Sequence, residues 1–228
     1  MAKTSGPSLS AQAYDRIRAD ILGGGFASGQ RIKISDLVRE LGFSLGAVRE
    51  ALSRLGSEGL VTAETNKGYC VARLSAEELD DLTETRLLIE SECLSRAIRN
   101  GDLKWESGIV AAQFEMSRLP IIDPQDQSRV NPAWNAAHTR FHAALVAACD
   151  SPWLLQLREM LFVQSERYRV ATVSHDGGRR DLAAEHRRIA EKAIARDEAA
   201  AVEALRAHLG MTRKILLETG VAPRGGEG

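Results

Sequence analysis

The stretch ISDLVRELGFSLGAVREALSRLGSEGLVTAETNKGYCVARL, residues 34–74, decides how the chain begins. Ser35 is positioned to cap a short helix, Asp36 to Leu41, that Gly42 ends, and Ser44 caps a second helix running to about Ser57 before Gly59. Two short helices a few residues apart make a helix-turn-helix. Leu60 to Ala63 and Tyr69 to Arg73 are strand-like and flank Glu64-Thr65-Asn66-Lys67-Gly68, whose Asn and Gly suit a tight hairpin. A hairpin placed directly after a helix-turn-helix is a wing. Upstream, Tyr14, Ile17, Ile21 and Leu22 recur at helical spacing after Ser10 until Gly23, Gly24 and Gly25 stop the helix.

Beyond Leu74 the pattern is helical throughout. Ser75-Ala76-Glu77-Glu78 reads as a capping box ahead of Leu79, Leu82, Leu87, Ile89, Cys93, Leu94 and Ile98, with Asn100-Gly101 as the stop. Further helices are expected at about 103–118, 131–149, 152–172, 181–195 and 198–218. The fold class is therefore mostly α, with two domains: a winged helix-turn-helix over residues 9–74 and an all-α antiparallel helical bundle over residues 75–218.

Composition supports that division. The 228 residues are 44% hydrophobic and 27% charged with net charge −1, which excludes disordered, collagen-like and supercharged classes. Residues 1–74 carry a net charge of +3 and the remainder −4, so the small first domain is the one suited to a polyanion. Cys70, Cys93 and Cys149 are odd in number and widely spaced, which argues for a reducing compartment. The start of the chain lacks the apolar core of a signal peptide, and no apolar run approaches the roughly 18 residues needed to span a bilayer. The expectation is a cytoplasmic protein with no membrane partner.

A helix-turn-helix sets its second helix in the major groove of double-stranded DNA. Here Val48, Ala51, Leu52 and Leu55 form the inward stripe, leaving Ser44, Leu45, Gly46, Arg49 and Ser53 facing outward. Arg49 is the one guanidinium on that face, suited either to fork onto guanine or to hold a phosphate. Arg31, Lys33 and Arg54 are candidates for backbone contacts, and Lys67 with Gly68 at the wing tip for a narrow minor groove. Taken one at a time, each is equally an ordinary solvated charge.

Of the five histidines, four lie on apolar helix stripes. His138 and His142 share a face with Trp134, Phe141, Leu145 and Cys149; His186 lies between Leu182 and Ile189; His208 sits with Val202, Leu205 and Leu209. A single histidine in such a place is usually a hydrogen-bonded core residue. Four on three helices of one bundle are harder to dismiss, because an i,i+4 pair offers two imidazoles to one ion and other helices can complete the shell. Spacing alone leaves both readings open. His175, beside Asp176-Gly177-Gly178, reads as a loop residue.

Two resemblances sharpen these expectations. Ile17-Arg18, Ile21-Leu22-Gly23-Gly24, Gly29-Gln30-Arg31-Ile32, Leu41-Gly42, Val48-Arg49-Glu50-Ala51-Leu52, Glu58-Gly59-Leu60-Val61 and Gly68-Tyr69 together resemble the GntR family of bacterial winged-helix regulators. Where that family commonly has Ser-Arg-Thr-Pro before Val-Arg-Glu-Ala-Leu, this chain has Ser44-Leu45-Gly46-Ala47. The Arg that often reads a guanine is absent, and Leu45 is placed to touch a thymine methyl instead. Further on, Thr85-Arg86-Leu87-Leu88-Ile89-Glu90, Trp134, His138, Phe141-His142, Ser151-Pro152, Glu185-His186 and His208-Leu209 resemble the FCD effector domain of FadR-type members, with CsiR-type repressors the nearest in pattern through Glu166-Arg167-Tyr168-Arg169.

The resemblance implies a dimeric repressor on a palindromic operator, controlled by a small organic acid. In metal-binding members an Asp and three His hold a divalent ion, and His138 occupies the Asp position, so the implied ligands are His138, His142, His186 and His208. Replacing a hard anionic oxygen by a neutral nitrogen favours Zn²⁺, or Ni²⁺, over Mn²⁺ or Mg²⁺. Arg86 matches a family Arg that pairs with the effector carboxylate, the other reading being a salt bridge to Glu90 one turn on. Arg167 or Arg169 is a candidate clamp for the second carboxylate of a dicarboxylate. Two readings of other classes compete: a metal-dependent enzyme on the bundle, which has no HExxH or ExxH to support it, and a structural DNA-binding protein without an effector.

Overall fold

The computed structural model describes residues 6–64, 68–127, 129–173 and 180–220. They form two compact units that divide between Leu74 and Ser75.

In the first unit, α1 (Leu9–Leu22) precedes β1 (Arg31–Ile32), α2 (Ile34–Leu41), α3 (Leu45–Ser57), β2 (Val61–Glu64) and β3 (Gly68–Val71). The apolar stripes meet as periodicity requires: Ile17 of α1 and Val48, Leu52 and Leu55 of α3 have no exposed surface, each contributing roughly 1.5–3 kcal/mol by burial. Gly42 ends α2 in the left-handed region at φ 70°, where a side chain would be strained, and turns the chain into α3. Ser44 caps α3 by accepting from the Ala47 amide at 3.2 Å. The sheet is antiparallel in the order β1-β3-β2, so the wing is three-stranded where the sequence suggested a two-stranded hairpin. β1 escapes periodicity because it is two residues long. It also moves the start of α2: the chain passes from Ile32 into a helix beginning at Ile34, Lys33 stands at the cap without a side-chain bond, and Ser35 falls inside the helix rather than capping it.

Among the described residues, the regular structure of the second unit is helical apart from one isolated bridge between Ile122 and Val130. It contains α4 (Ala76–Asn100), α5 (Leu103–Ser117), α6 (Pro132–Leu145), α7 (Pro152–Val173), α8 (Leu182–Ile194) and α9 (Glu198–Thr219). α4 packs on α7 and α9, α5 on α6 and α8, and α8 on α9. The core includes Leu94, Ile109, Phe141, Leu145, Ile189 and Leu205. α6 ends four residues earlier than its alanine-rich sequence suggests. Successive tight turns, Val146 N–H to Ala143 and Cys149 N–H to Val146, redirect the chain towards Ser151-Pro152. The Ser75 cap forms, its hydroxyl accepting from the Glu78 amide at 3.2 Å. The reciprocal half of the expected box is open, because the Ser75 N–H is donated to the Tyr168 hydroxyl instead, at 3.3 Å.

Candidate metal centre and nucleic-acid interface

Three helices bring four imidazoles together. α6 supplies His138 and His142 one turn apart, α8 supplies His186 and α9 supplies His208, and one nitrogen from each lies within 4.8 Å of the others. All four rings are buried, none more than 6% exposed. Burial is the leading cause that pushes His138, His142 and His186 well below the usual histidine range, with mutual repulsion among the rings and nearby arginines adding to it. Burial lowers His208 as well, against the opposing pull of Glu185. The rings are therefore neutral near pH 7 and keep their lone pairs, the state that a metal ligand needs.

Their hydrogen bonding is incomplete. Both nitrogens of His138, Nδ1 of His142 and Nε2 of His186 are buried without a hydrogen-bond partner. An unmet buried polar atom costs about 1–3 kcal/mol, so a core of satisfied histidines does not describe this cluster. Two of the remaining four nitrogens are oriented: His186 bonds the Leu182 backbone, and His208 Nδ1 donates to Glu185 Oε2 at 2.7 Å. Glu185 is itself gripped by Arg180, at 2.7 Å. Partial burial works to raise the Glu185 carboxyl, but the hydrogen bonds from His208 and Arg180 prevail and hold it down to about 2. A carboxylate behind an imidazole fixes its tautomer and leaves Nε2 free to bind. Donors at about 2.0–2.1 Å from one ion stand no more than about 4.2 Å apart, so the set closes on an ion by adjustments below about 1 Å. The residues fit a divalent metal.

A cavity opens on this cluster, bounded by Leu79, Thr83, Arg86, Ser165, Tyr168 and Arg169 besides the histidines. Its free room is about 30 Å³, enough for about two waters. Arg86 is on its wall and pairs with Glu90 at 3.0 Å, the salt bridge that was its second sequence reading. Its Nη1 donates to Ser165 at 2.6 Å. Of the two candidate clamps, Arg169 reaches the cavity, held by both oxygens of Glu166 at 2.7 Å and by Asn135. Arg167 does not line it, because its guanidinium is drawn to Glu78 at 2.8 Å. Sequence reasoning missed Arg158, which is 2% exposed and meets the second oxygen of Glu90 at 3.3 Å. Arg158 also meets Glu159 at 3.2 Å, so Arg86, Arg158 and Arg169 stand against Glu90, Glu159 and Glu166 and the charges of this network balance.

In the first unit Arg31, Lys33, Ser44, Leu45, Gly46, Arg49, Ser53, Arg54 and Gly68 are all exposed, as a contact surface requires. Lys67 and His175 lie outside the described residues. Arg54 has other commitments: its guanidinium stacks 3.7 Å from the Tyr14 ring centre and its Nε reaches Glu58 at 3.3 Å. Tyr14 donates to the same Glu58, and burial together with that hydrogen bond pushes its hydroxyl up to about 12. This cluster ties the far end of α3 to α1.

A winged helix-turn-helix joined to a helical bundle is the architecture of a DNA-binding transcription regulator. Family models agree on both halves: "Bacterial regulatory proteins, gntR family" matches residues 9–71 and "FCD domain" matches residues 81–211. The chain belongs to the GntR family, in the branch that carries an FCD domain. It is 35% identical to the HTH-type transcriptional regulator BphR of Paraburkholderia xenovorans (strain LB400) over 94% of this chain and 87% of that protein. It is also 35% identical to the HTH-type transcriptional repressor GlaR of Escherichia coli (strain K12), over 88% of this chain and 92% of that one. Among solved structures, E. coli McbR/YncC superposes with a TM-score of 0.76 at 18% identity, covering 94% of this chain and 99% of the other, a likeness of fold. These relatives are regulators and not enzymes, so the reading of a metal-dependent enzyme falls away. Among the described residues, no helix is long and apolar enough to cross a membrane.

Proposed function

We propose that the protein is a cytoplasmic, metabolite-responsive repressor of the CsiR type. Residues 9–74 bind a palindromic operator and residues 75–218 form the effector-binding and dimerisation domain. In this reading His138, His142, His186 and His208 hold one divalent ion, zinc with nickel as the second choice. The observation that carries it is the cluster of neutral, buried imidazoles, four of whose nitrogens lack hydrogen-bond partners. When bound, the ion supplies a Lewis-acidic site for the carboxylate of a small organic acid. Arg86 pairs with that carboxylate, and Arg169 is the cation available to the far end of a short dicarboxylate. Glu185 and Arg180 orient His208 from behind.

On DNA, Arg49 contacts a base edge or phosphate, flanked by Ser44, Leu45, Gly46 and Ser53. Arg31, Lys33 and the wing at Lys67-Gly68 meet the backbone or minor groove, while Arg54 contributes only after leaving Glu58. A homodimer is supported by Trp153, Leu157 and Met160, large apolar side chains exposed along one stripe of α7. The repressor sense follows the likeness to GlaR, a repressor by name.

The test is metal analysis of protein purified without an affinity tag that binds metal, followed by thermal shift with short mono- and dicarboxylates on loaded and chelated samples. About one equivalent of zinc or nickel per chain, and a carboxylate shift that chelation abolishes, is the expected result. A metal-free protein with full carboxylate affinity would return the four histidines to the core.

A further inference from the structure

Tyr168 touches both the cavity and the start of the helical unit. Its ring has no exposed surface and forms part of the cavity wall with His138, His142 and Arg86. Its hydroxyl accepts the Ser75 N–H at 3.3 Å and donates to Glu78 Oε2 at 2.5 Å. The other Glu78 oxygen is held by Arg167 at 2.8 Å. That N–H belongs to the Leu74–Ser75 peptide, where the DNA-binding unit ends and the helical unit begins. One residue earlier, the Leu74 N–H is donated to Ser28 Oγ within the DNA-binding unit, at 2.9 Å. Two consecutive amides are thus bonded to side chains of two different units, each within its own.

Local chemistry offers the Ser75 N–H a second partner. In a closed capping box the residue three places into the helix, here Glu78, would take it. Tyr168 and Arg167 draw Glu78 away, so the entry into α4 depends on a side chain 93 residues further along the chain. Because the cavity has room for about 30 Å³, filling it presses on the Tyr168 ring. Displacing the hydroxyl by about 0.5 Å takes the 3.3 Å bond beyond useful length and frees the amide for Glu78. The amide would then have two discrete arrangements, the kind of element through which one site biases another.

We infer that Tyr168 is a positioning residue that transmits occupancy of the cavity to the peptide joining the two units, and through it to DNA affinity. The inference rests on the proposed reading that cavity occupancy regulates DNA binding.

The experiment uses the full chain and Zn²⁺ alone as the probe. A duplex selected by the wild-type protein from a randomised pool is titrated with zinc-loaded and chelator-stripped protein, for wild type and Tyr168→Phe, which keeps the ring and removes only the hydroxyl. Zinc affinity is measured in parallel by chelator competition, and hydrogen exchange is followed over residues 75–79. The wild type should show a 5–150-fold difference between loaded and stripped protein, with metal-dependent exchange at the start of α4. Tyr168→Phe should bind zinc within threefold of wild type, yet show equal DNA affinities and exchange that ignores the metal. A variant that keeps the wild-type ratio overturns the relay. So does one that loses more than tenfold in zinc affinity, since Tyr168 would then simply build the site. If Tyr168→Phe fails to fold, Glu78→Gln, which weakens the hydroxyl's acceptor, is judged by the same criteria. Equal DNA affinities for loaded and stripped wild type would overturn the premise that filling the histidine cluster reaches the DNA-binding unit, and that outcome is visible without either variant.

Discussion

Lowering the pH of the chelator-stripped protein from 8 to 5.5 should unfold the helical unit far more readily than an ordinary bundle of this size. His138, His142 and His186 are held well below the usual histidine range, mainly by burial. In the unfolded chain each returns to about 6.5. Folded pKa values below the unfolded ones mean that the unfolded state binds protons first as pH falls, so stability is full above about 6.5 and is lost below it. At pH 5.5 a histidine that stays neutral only when folded costs RT ln 11, about 1.4 kcal/mol. Three such residues cost about 4 kcal/mol, a large part of the roughly 5–15 kcal/mol that holds a domain. Lowered carboxylates do not obscure this window, because Glu185, held down to about 2, loses its contribution only below about pH 4.5.

The assay is urea unfolding followed by tryptophan fluorescence. Trp105, Trp134 and Trp153 all lie beyond residue 74, so the signal reports the helical unit alone. With a slope of about 2 kcal/mol per molar urea, the midpoint should fall by about 2 M between pH 8 and pH 5.5. A shift below about 0.5 M would refute the argument that these rings are buried and neutral.

Three further outcomes follow from the geometry. Glu185→Gln keeps the shape behind His208 but weakens its acceptor, and should reduce zinc affinity about 10–100-fold in a chelator competition; an unchanged affinity would detach Glu185 from the centre. Arg49→Ala should weaken binding to a selected operator by about 1–3 kcal/mol if the guanidinium reads a base, whereas equal affinity in a titration removes Arg49 from the interface. Leu157→Glu sets a charge in the middle of the exposed α7 stripe and should convert a dimer to a monomer in sedimentation; an intact dimer would place the interface elsewhere.

Where the sequence was legible, period and punctuation agreed. Four histidines lay on apolar stripes, and a stripe becomes an interior face once helices pack, so their convergence was readable before any coordinates. Arg158 was not readable: an arginine on an α7 surface rich in charge looks solvated, and only the fold shows it meeting Glu90 of α4. The choice between Arg167 and Arg169 was equally closed to inspection, since adjacent helix residues differ by about 100° in direction and the register of α7 decides which reaches the cavity. The open capping box fails for the same reason. Ser75 and Glu78 have the right types and spacing, but a tyrosine from another helix competes for both. Local rules describe what neighbours in sequence offer one another, and tertiary partners select among those offers.

The depth of the histidine cluster also sets a clock. Each ring is almost completely shielded, and the adjoining room is about 30 Å³. An ion held by four buried nitrogens would leave only when several of these bonds break together, so its residence time would be governed by local opening of the site rather than by the strength of any single bond. Exchange of the metal would then be slow compared with arrival and departure of a small acid at the open side of the cavity. On the proposed reading, the protein would carry its ion through many cycles of promoter occupancy and respond within each cycle to the metabolite.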